Sequence, residues 1–273
     1  LDFAGRHAAG HLVHAALVFP AMVATASAQP VPPEIAEGVA LRLPERSEVY
    51  RDRHEIGALS HRIEYRAPDG TLIAEKTLDY RCSQSAPAFE QHDLRSGSRI
   101  GARWQDGAYL LLRDDETRAL ETGSSLVASS GFDRFVRANW ETLAAGRRID
   151  LDFALPARLQ SLRLRIARIA APEEIPGVAL WLRIVPAQPL LRAFVDPIEL
   201  AYDDGRHLAL YRGLSNLAGA DGKGLAVEIR YRRVPPDSLG EEREIATTAA
   251  VATEPASAAA RTPAHLHCAE ERS

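Results

Sequence analysis

Apolar and polar residues alternate with a period of two through much of this chain. Ile149, Leu151, Phe153 and Leu155 are separated by Asp150, Asp152 and Ala154; Leu162, Leu164 and Ile166 by Arg163 and Arg165; Leu225, Val227, Ile229 and Tyr231 by Ala226, Glu228 and Arg230. Successive side chains of a strand face opposite sides, so each run predicts a strand with one apolar and one wetted face. That is the habit of antiparallel sheets, because parallel sheets are buried on both faces. Asp69-Gly70, Asp106-Gly107, Asp204-Gly205 and Asp221-Gly222 punctuate such runs. Asp-Gly supplies the positive φ angles of tight hairpins. The pattern predicts hairpins joining 60–67 to 71–80, 98–105 to 108–113, and 198–202 to 206–214, the last leading on into 225–233.

One segment changes period. Phe132, Phe135, Val136, Trp140 and Leu143 share one face of a helix, and Asp133, Arg134, Arg137 and Glu141 share the other. Ser130 is placed as N-cap, with Asp133 completing a capping box, and Gly146 as the stop, which predicts a helix over 130–145. Each large apolar side chain gains about 1.5–3 kcal/mol on full burial. The stripe therefore has to pack, and the concave face of the sheet is the available partner. The expectation is a mainly β domain over 40–234. It would be a single, highly curved antiparallel sheet, a half-barrel of about 10–11 strands, wrapped around one amphipathic helix.

The chain ends read differently. Arg6 and His7 precede an apolar stretch from Leu12 to Val23, then the small-x-small run Ala26-Ser27-Ala28, then Gln29. This predicts a signal peptide over 1–28, cleaved between Ala28 and Gln29, and a periplasmic mature protein. The apolar run falls short of the ~20 residues of a membrane span and Pro20 interrupts it. Leu1 stands where a Met would start a chain, and Asp2 is unusual in a basic leader. Residues 29–39, with Pro30, Pro32 and Pro33, read as a linker. Residues 235–273 are Ala, Thr, Glu, Ser and Pro with few large apolar side chains, so disorder is expected there.

Composition narrows the function classes. Of 273 residues, 46% are hydrophobic and 26% charged, enough for a globular core. A net charge of −4 supplies no field to hold nucleic acid. All basic side chains but Lys76 and Lys223 are Arg. The two cysteines, Cys82 and Cys268, can be bridged or free in an oxidising compartment. His54, His61, His92 and His207 lack metal-ligand spacing, and the run His265-Leu266-His267-Cys268 has no closing partner nearby. Ser124, Ser125, Ser129 and Ser130 lack the glycine frame of a nucleophile elbow. Asp114, Asp115 and Glu116 read as a solvated turn. Asp150 and Asp152 read as a wet strand face, a glycosidase pair being the alternative. No catalytic residue, metal ligand or cofactor is assigned. Trp104, Tyr109, Trp140, Trp181 and Phe194 remain as candidate ligand-binding residues. They would line a cavity for an acyl chain or form the core that fixes helix to sheet.

The stretch Gly131-Phe132-Asp133-Arg134-Phe135-Val136-Arg137, with Trp140-Glu141 and Gly146, resembles a group of uncharacterised exported proteins from proteobacteria. So do Leu210-Tyr211-Arg212-Gly213-Leu214-Ser215-Asn216, Glu48-Val49-Tyr50, Ile63-Glu64-Tyr65 and Lys76-Thr77-Leu78-Asp79-Tyr80. The resemblance spans most of 45–233 and implies export, with no activity attached. The fold pattern is also similar to lipoprotein-carrier half-barrels, which hold acyl chains in the periplasm. The expectation is a periplasmic protein that binds an apolar or lipidic ligand between curved sheet and helix. It would hold no nucleic acid and no cofactor, and would not be an integral membrane protein after processing. An envelope enzyme with a site assembled in space, or an envelope scaffold, are the alternatives. An outer-membrane barrel is strongly disfavoured because Arg163, Arg165, Glu228 and Arg230 occupy whole strand faces.

Overall fold

The structure is a computed structural model and describes residues 33–121, 125–219 and 222–235. The segment read as a leader, with the expected cleavage residues Ala26, Ala28 and Gln29, and the segment beyond Pro235 lie outside the described residues. Eight strands come first: β1 (Glu34–Arg42), β2 (Glu48–Ile56), β3 (Ser60–Arg66), β4 (Leu72–Asp79), β5 (Ala88–Asp93), β6 (Arg99–Gln105), β7 (Ala108–Arg113) and β8 (Glu116–Leu120). A two-residue strand, β9 (Leu126–Val127), leads into helices α1 (Gly131–Ala138) and α2 (Trp140–Ala144). The chain then returns through β10 (Ile149–Leu155), β11 (Gln160–Arg168), β12 (Val178–Pro186), β13 (Ile198–Asp203), β14 (Leu208–Leu214) and β15 (Ala226–Val234).

All 15 strands belong to one sheet, in the order β8 to β1, then β15 down to β9. Two up-and-down meanders are thus joined at a single seam, the antiparallel ladder from Ile35↔Val234 to Arg42↔Val227. Every pairing is antiparallel except β9 with β10. The sheet is mainly β and not closed; β8 and β9 are its edges. The three hairpins expected at Asp-Gly turns are β3–β4, β6–β7 and β13–β14. Only at Asp106 and Gly107 are both φ angles positive (50° and 78°), the two-residue turn that matches strand twist.

Strand number exceeds the 10–11 expected. β1 starts at Glu34, inside the Pro-rich stretch read as linker, because Ala36 and Ala40 are buried on one face and Ile35 on the other. β9 is an inner edge. Leu126 and Ala154 pack with Tyr109 and Leu111 of the first meander, whereas Val127 and Leu151 pack with Leu164, Leu182 and Leu200 of the second. The last strands, β9 and β10, therefore lie between two apolar clusters, while the sheet stays open at β8 and β9. Ser85 of the β4–β5 loop fixes that edge, accepting from the Ala128 N–H at 2.9 Å and donating to the Leu126 carbonyl at 3.0 Å.

The helical stripe is buried as its spacing requires: Val136 and Leu143 are fully buried, and Phe132, Phe135 and Trp140 pack on the second cluster. The single predicted helix is broken in two at Asn139. There the side-chain amide bonds the Phe135 carbonyl (2.9 Å) and the backbone leaves helical geometry. Ser130 occupies the N-cap but makes no side-chain cap bond. Its expected partner Asp133 pairs inward with Arg137 at 2.9 Å instead. Gly146 (φ +78°) closes the segment.

Strand direction alternates, so the connections fall at two ends. At the lower end, α1 and α2 are tied to three turns: Arg134 donates to the Gly57 and Ala58 carbonyls (2.9 and 2.8 Å), Arg206 pairs with Glu141 (2.7 Å), and Arg168 donates to the Ala144 carbonyl (2.6 Å). At the upper end the 215–219 loop folds inward, burying Leu217 and accepting from Gln91 at the Asn216 carbonyl (3.0 Å). Cys82, in the β4–β5 loop, is disulfide-bonded. Among the described residues, no helix is long and apolar enough to cross a membrane.

Candidate functional site

The five aromatic residues singled out from the sequence fall in four places. Trp104 and Tyr109 are brought together, ring centroids 5.0 Å apart. Both are anchored to the β4–β5 loop, Trp104 Nε1 donating to the Ala86 carbonyl (2.8 Å) and the Tyr109 hydroxyl to the Pro87 carbonyl (2.7 Å). Trp140 packs edge-on against Tyr202 at 6.0 Å, and the Arg206 guanidinium lies over its ring at 5.2 Å. Trp181 lies on the opposite face of the sheet, and Phe194 is 85% exposed in the β12–β13 connection.

Trp181 owes its position to parity. Leu180, Leu182 and Ile184 of β12 face inward, so Trp181 points out, beside Ala201 and Leu210 of the neighbouring strands. It is nevertheless only 4% exposed, because the 169–177 loop folds back over it. The Ile169 N–H bonds the Trp181 carbonyl at 3.0 Å, and Ile175 and Val178 pack on the same cluster. Under this loop, at the lower end, is a cleft of about 420 Å³ lined by Trp181, Ile169, Ile175, Val178, Gly146 and Glu174. Arg168, Glu173 and Glu174 share the lining with the aliphatic side chains, so the cleft is of mixed polarity, and Trp181 contributes little open surface to it.

An ion-pair network holds the loop in place. Glu173 pairs with Arg212 (2.6 Å), which also reaches Glu228 (2.7 Å) and Glu199 (3.1 Å). Glu228 is 1% exposed at its side chain. Burial alone would push its carboxyl up, but hydrogen bonds from Arg46, Arg212 and Arg230 outweigh that and hold it at about 2. Such charge-assisted, multiply donated bonds are the strong class.

A second arrangement lies inside the curled sheet. Asp52 and His54 of β2, His61 of β3 and Tyr80 form a chain. His54 Nε2 is 3.5 Å from an Asp52 oxygen, His54 Nδ1 is 2.9 Å from His61 Nε2, and His61 Nδ1 is 3.4 Å from the Tyr80 hydroxyl. Burial, then the neighbouring His54, pushes the His61 imidazole down to about 2, so it stays neutral. Lys76 beside them is 2% exposed and is pushed down to about 8 by burial, which Asp52 partly opposes. Asp52 Oδ1, His54 Nε2 and Gln91 Oε1 are buried without a hydrogen-bond partner. Asp52, His61 and Tyr80 are each under 10% exposed, and only His54 of the four is partly open to solvent. Among the described residues no three metal-ligating side chains converge. Asp150 and Asp152 bind Arg165 and Arg163 across β10–β11 (2.6 and 2.9 Å), which engages both carboxylates in the ladder.

Sequence reasoning missed this interior chain. The inward positions of β2 are Tyr50, Asp52 and His54, alternating with Arg51, Arg53 and Glu55. Both faces are polar, so parity carries no apolar label. The usable signal was a turn at 57–59, which sets His54 and His61 on adjoining strands.

No protein-family model and no curated protein matches the chain. Among solved structures it is similar to a β-barrel-like protein of the domain of unknown function DUF1849 from Brucella abortus. Identity is 11% and the TM-score 0.45, over 76% of this chain and 97% of that one.

Proposed function

We propose that the protein is an exported binding protein of the cell envelope that takes an apolar or lipidic ligand. Export rests on the leader pattern of residues 1–28. The ligand site in this reading is the Trp181 cleft rather than the space between sheet and helix. What supports the reading is the cleft: about 420 Å³ falls in the size range of small-ligand sites, and Ile169, Ile175 and Val178 offer apolar contact beside its charged groups. Between sheet and helix, by contrast, Val136, Leu143 and Leu151 are fully buried against one another, and Trp140 is engaged with Tyr202. The envelope-enzyme alternative would draw on Asp52, His54, His61 and Tyr80, whose burial disfavours it.

Native mass spectrometry of protein purified from an envelope fraction tests the proposal. The expected result is a bound lipid or other apolar adduct that is lost in Ile175→Glu, a substitution that puts a carboxylate among the cleft's aliphatic side chains. A protein that carries no adduct, or an Ile175→Glu variant that retains it, overturns the proposal.

A further inference from the structure

Seven large apolar side chains are conspicuously exposed among the described residues, and five of them lie at the upper end: Leu94, Leu190, Phe194, Val195 and Leu214. Three are in the single connection between β12 and β13, where Leu190 and Phe194 are each 85% exposed and Val195 38%. This segment is built, not frayed. Pro189–Ala193 form a 3₁₀ turn. The Phe194 and Val195 N–H groups both bond the Leu191 carbonyl at 3.1 Å. Arg192 reaches back to the Pro186 carbonyl at 2.9 Å and the Ala187 carbonyl at 3.4 Å. Its backbone and its one cation are thus committed to holding the turn, and the two largest apolar side chains are presented to solvent. Exposed apolar clusters of this kind mark contact surfaces.

We infer that the β12–β13 tip inserts into the interface of a lipid bilayer, with Leu190 and Phe194 as the anchoring pair. Area separates a membrane from a second copy of the chain. Even a whole aromatic side chain buries only roughly 150–250 Å². Leu190, Phe194 and Val195 together therefore fall well short of the roughly 800 Å² that each partner of a stable dimer buries. A short convex turn bearing bulky side chains suits a medium that closes around it. Charge sets the lipid class. Arg192 and Asp196 balance within the tip, and the whole chain carries −4, so the attraction is apolar and needs no anionic lipid. The tip and the Trp181 cleft are at opposite ends of the sheet, so docking and ligand binding are separable.

The test is vesicle flotation of the chain beginning at Gln29, which retains every strand because β1 starts at Glu34. Vesicles are phosphatidylcholine alone, or phosphatidylcholine with phosphatidylglycerol. The expected result is flotation with both compositions, insensitive to salt. In Leu190→Ser/Phe194→Ser, whose changes touch only exposed side chains, partition falls by about 10-fold or more. Phe194→Trp gains fluorescence that lipids brominated on the acyl chain quench, and Leu59→Ser, an exposed change at the lower end, floats like the unaltered chain. Four outcomes overturn the inference: no flotation with either vesicle, equal flotation of the double variant, flotation only with phosphatidylglycerol and lost in salt, or a concentration-dependent dimer that the double variant abolishes.

Discussion

Glu228→Gln should destabilise the protein at neutral pH and remove a defined part of its acid sensitivity. Glu228 sits on β15 beside the seam, opposite Leu41 of β1 on one side and Arg212 of β14 on the other. Its carboxylate accepts from Arg46 (2.9 Å), Arg212 (2.7 Å) and Arg230 (2.9 Å), and its side chain is 1% exposed. Held at about 2 in the fold against an ordinary 4.5, it stabilises the folded state by at most roughly 3 kcal/mol at neutral pH. Between those two values the unfolded chain binds a proton that the folded chain does not. The contribution is therefore complete above 4.5 and is lost as pH falls towards 2. The amide cannot titrate, and it leaves three guanidinium groups facing one neutral partner. Removing one member of a buried ionic cluster costs ~3–5 kcal/mol. Partial exposure of the arginines reduces this to roughly 2–4 kcal/mol here. Urea unfolding of both proteins, from neutral pH down to about pH 3, measures it. The expected result is a stability gap at neutral pH that narrows steadily as pH falls. A gap that stays constant with pH, or no gap at neutral pH, refutes the reasoning.

Leu143→Ala, at a fully buried position of α2, should cost about 2–5 kcal/mol in urea unfolding, because the surrounding helix and sheet cannot collapse into the void. Gly101→Ala would place a methyl carbon 2.4 Å from the Phe89 carbonyl oxygen, and backbone cannot yield cheaply. It should cost ~1–3 kcal/mol and slow the β5–β6 pairing, read as increased amide exchange at Phe89 and Ala102. Lys76 is held at about 8 in the fold against an ordinary 10.5, so the unfolded chain binds the extra proton between them and stability rises with pH across that window. Lys76→Met should abolish that rise in urea midpoints compared between about pH 8 and about pH 10.

Much of the architecture was legible where one face of a strand was apolar. The alternation over 149–155, 162–166 and 225–231 corresponds to β10, β11 and β15. The Asp-Gly turns marked the hairpins because they separate runs of clear parity. The Phe132–Leu143 stripe identified the helical segment, although Asn139 then divides it. Strands were lost where parity is ambiguous. β9 is a two-residue inner edge buried on both faces, and β2 is polar on both. β1 was hidden behind Pro30, Pro32 and Pro33, because its small core residues Ala36 and Ala40 carry little apolar signal. Position along a strand also failed to report burial of charge. Glu228 reads as part of a wet face, yet the guanidinium groups of Arg46, Arg212 and Arg230 roof it over. The candidate site was the least legible. Trp181 was visible as an aromatic residue. Its outward direction needed the parity of β12, and its cover needed a loop of Ala, Pro and Glu whose path no local pattern dictates.

The most direct test of the ligand site uses Trp181 as its own reporter. Trp104→Phe and Trp140→Phe leave it the sole indole of the three in the chain. Titrating this protein with oleate should shift Trp181 emission saturably, with one ligand bound per chain. Unchanged Trp181 emission, while calorimetry records oleate binding elsewhere or none at all, contradicts the account.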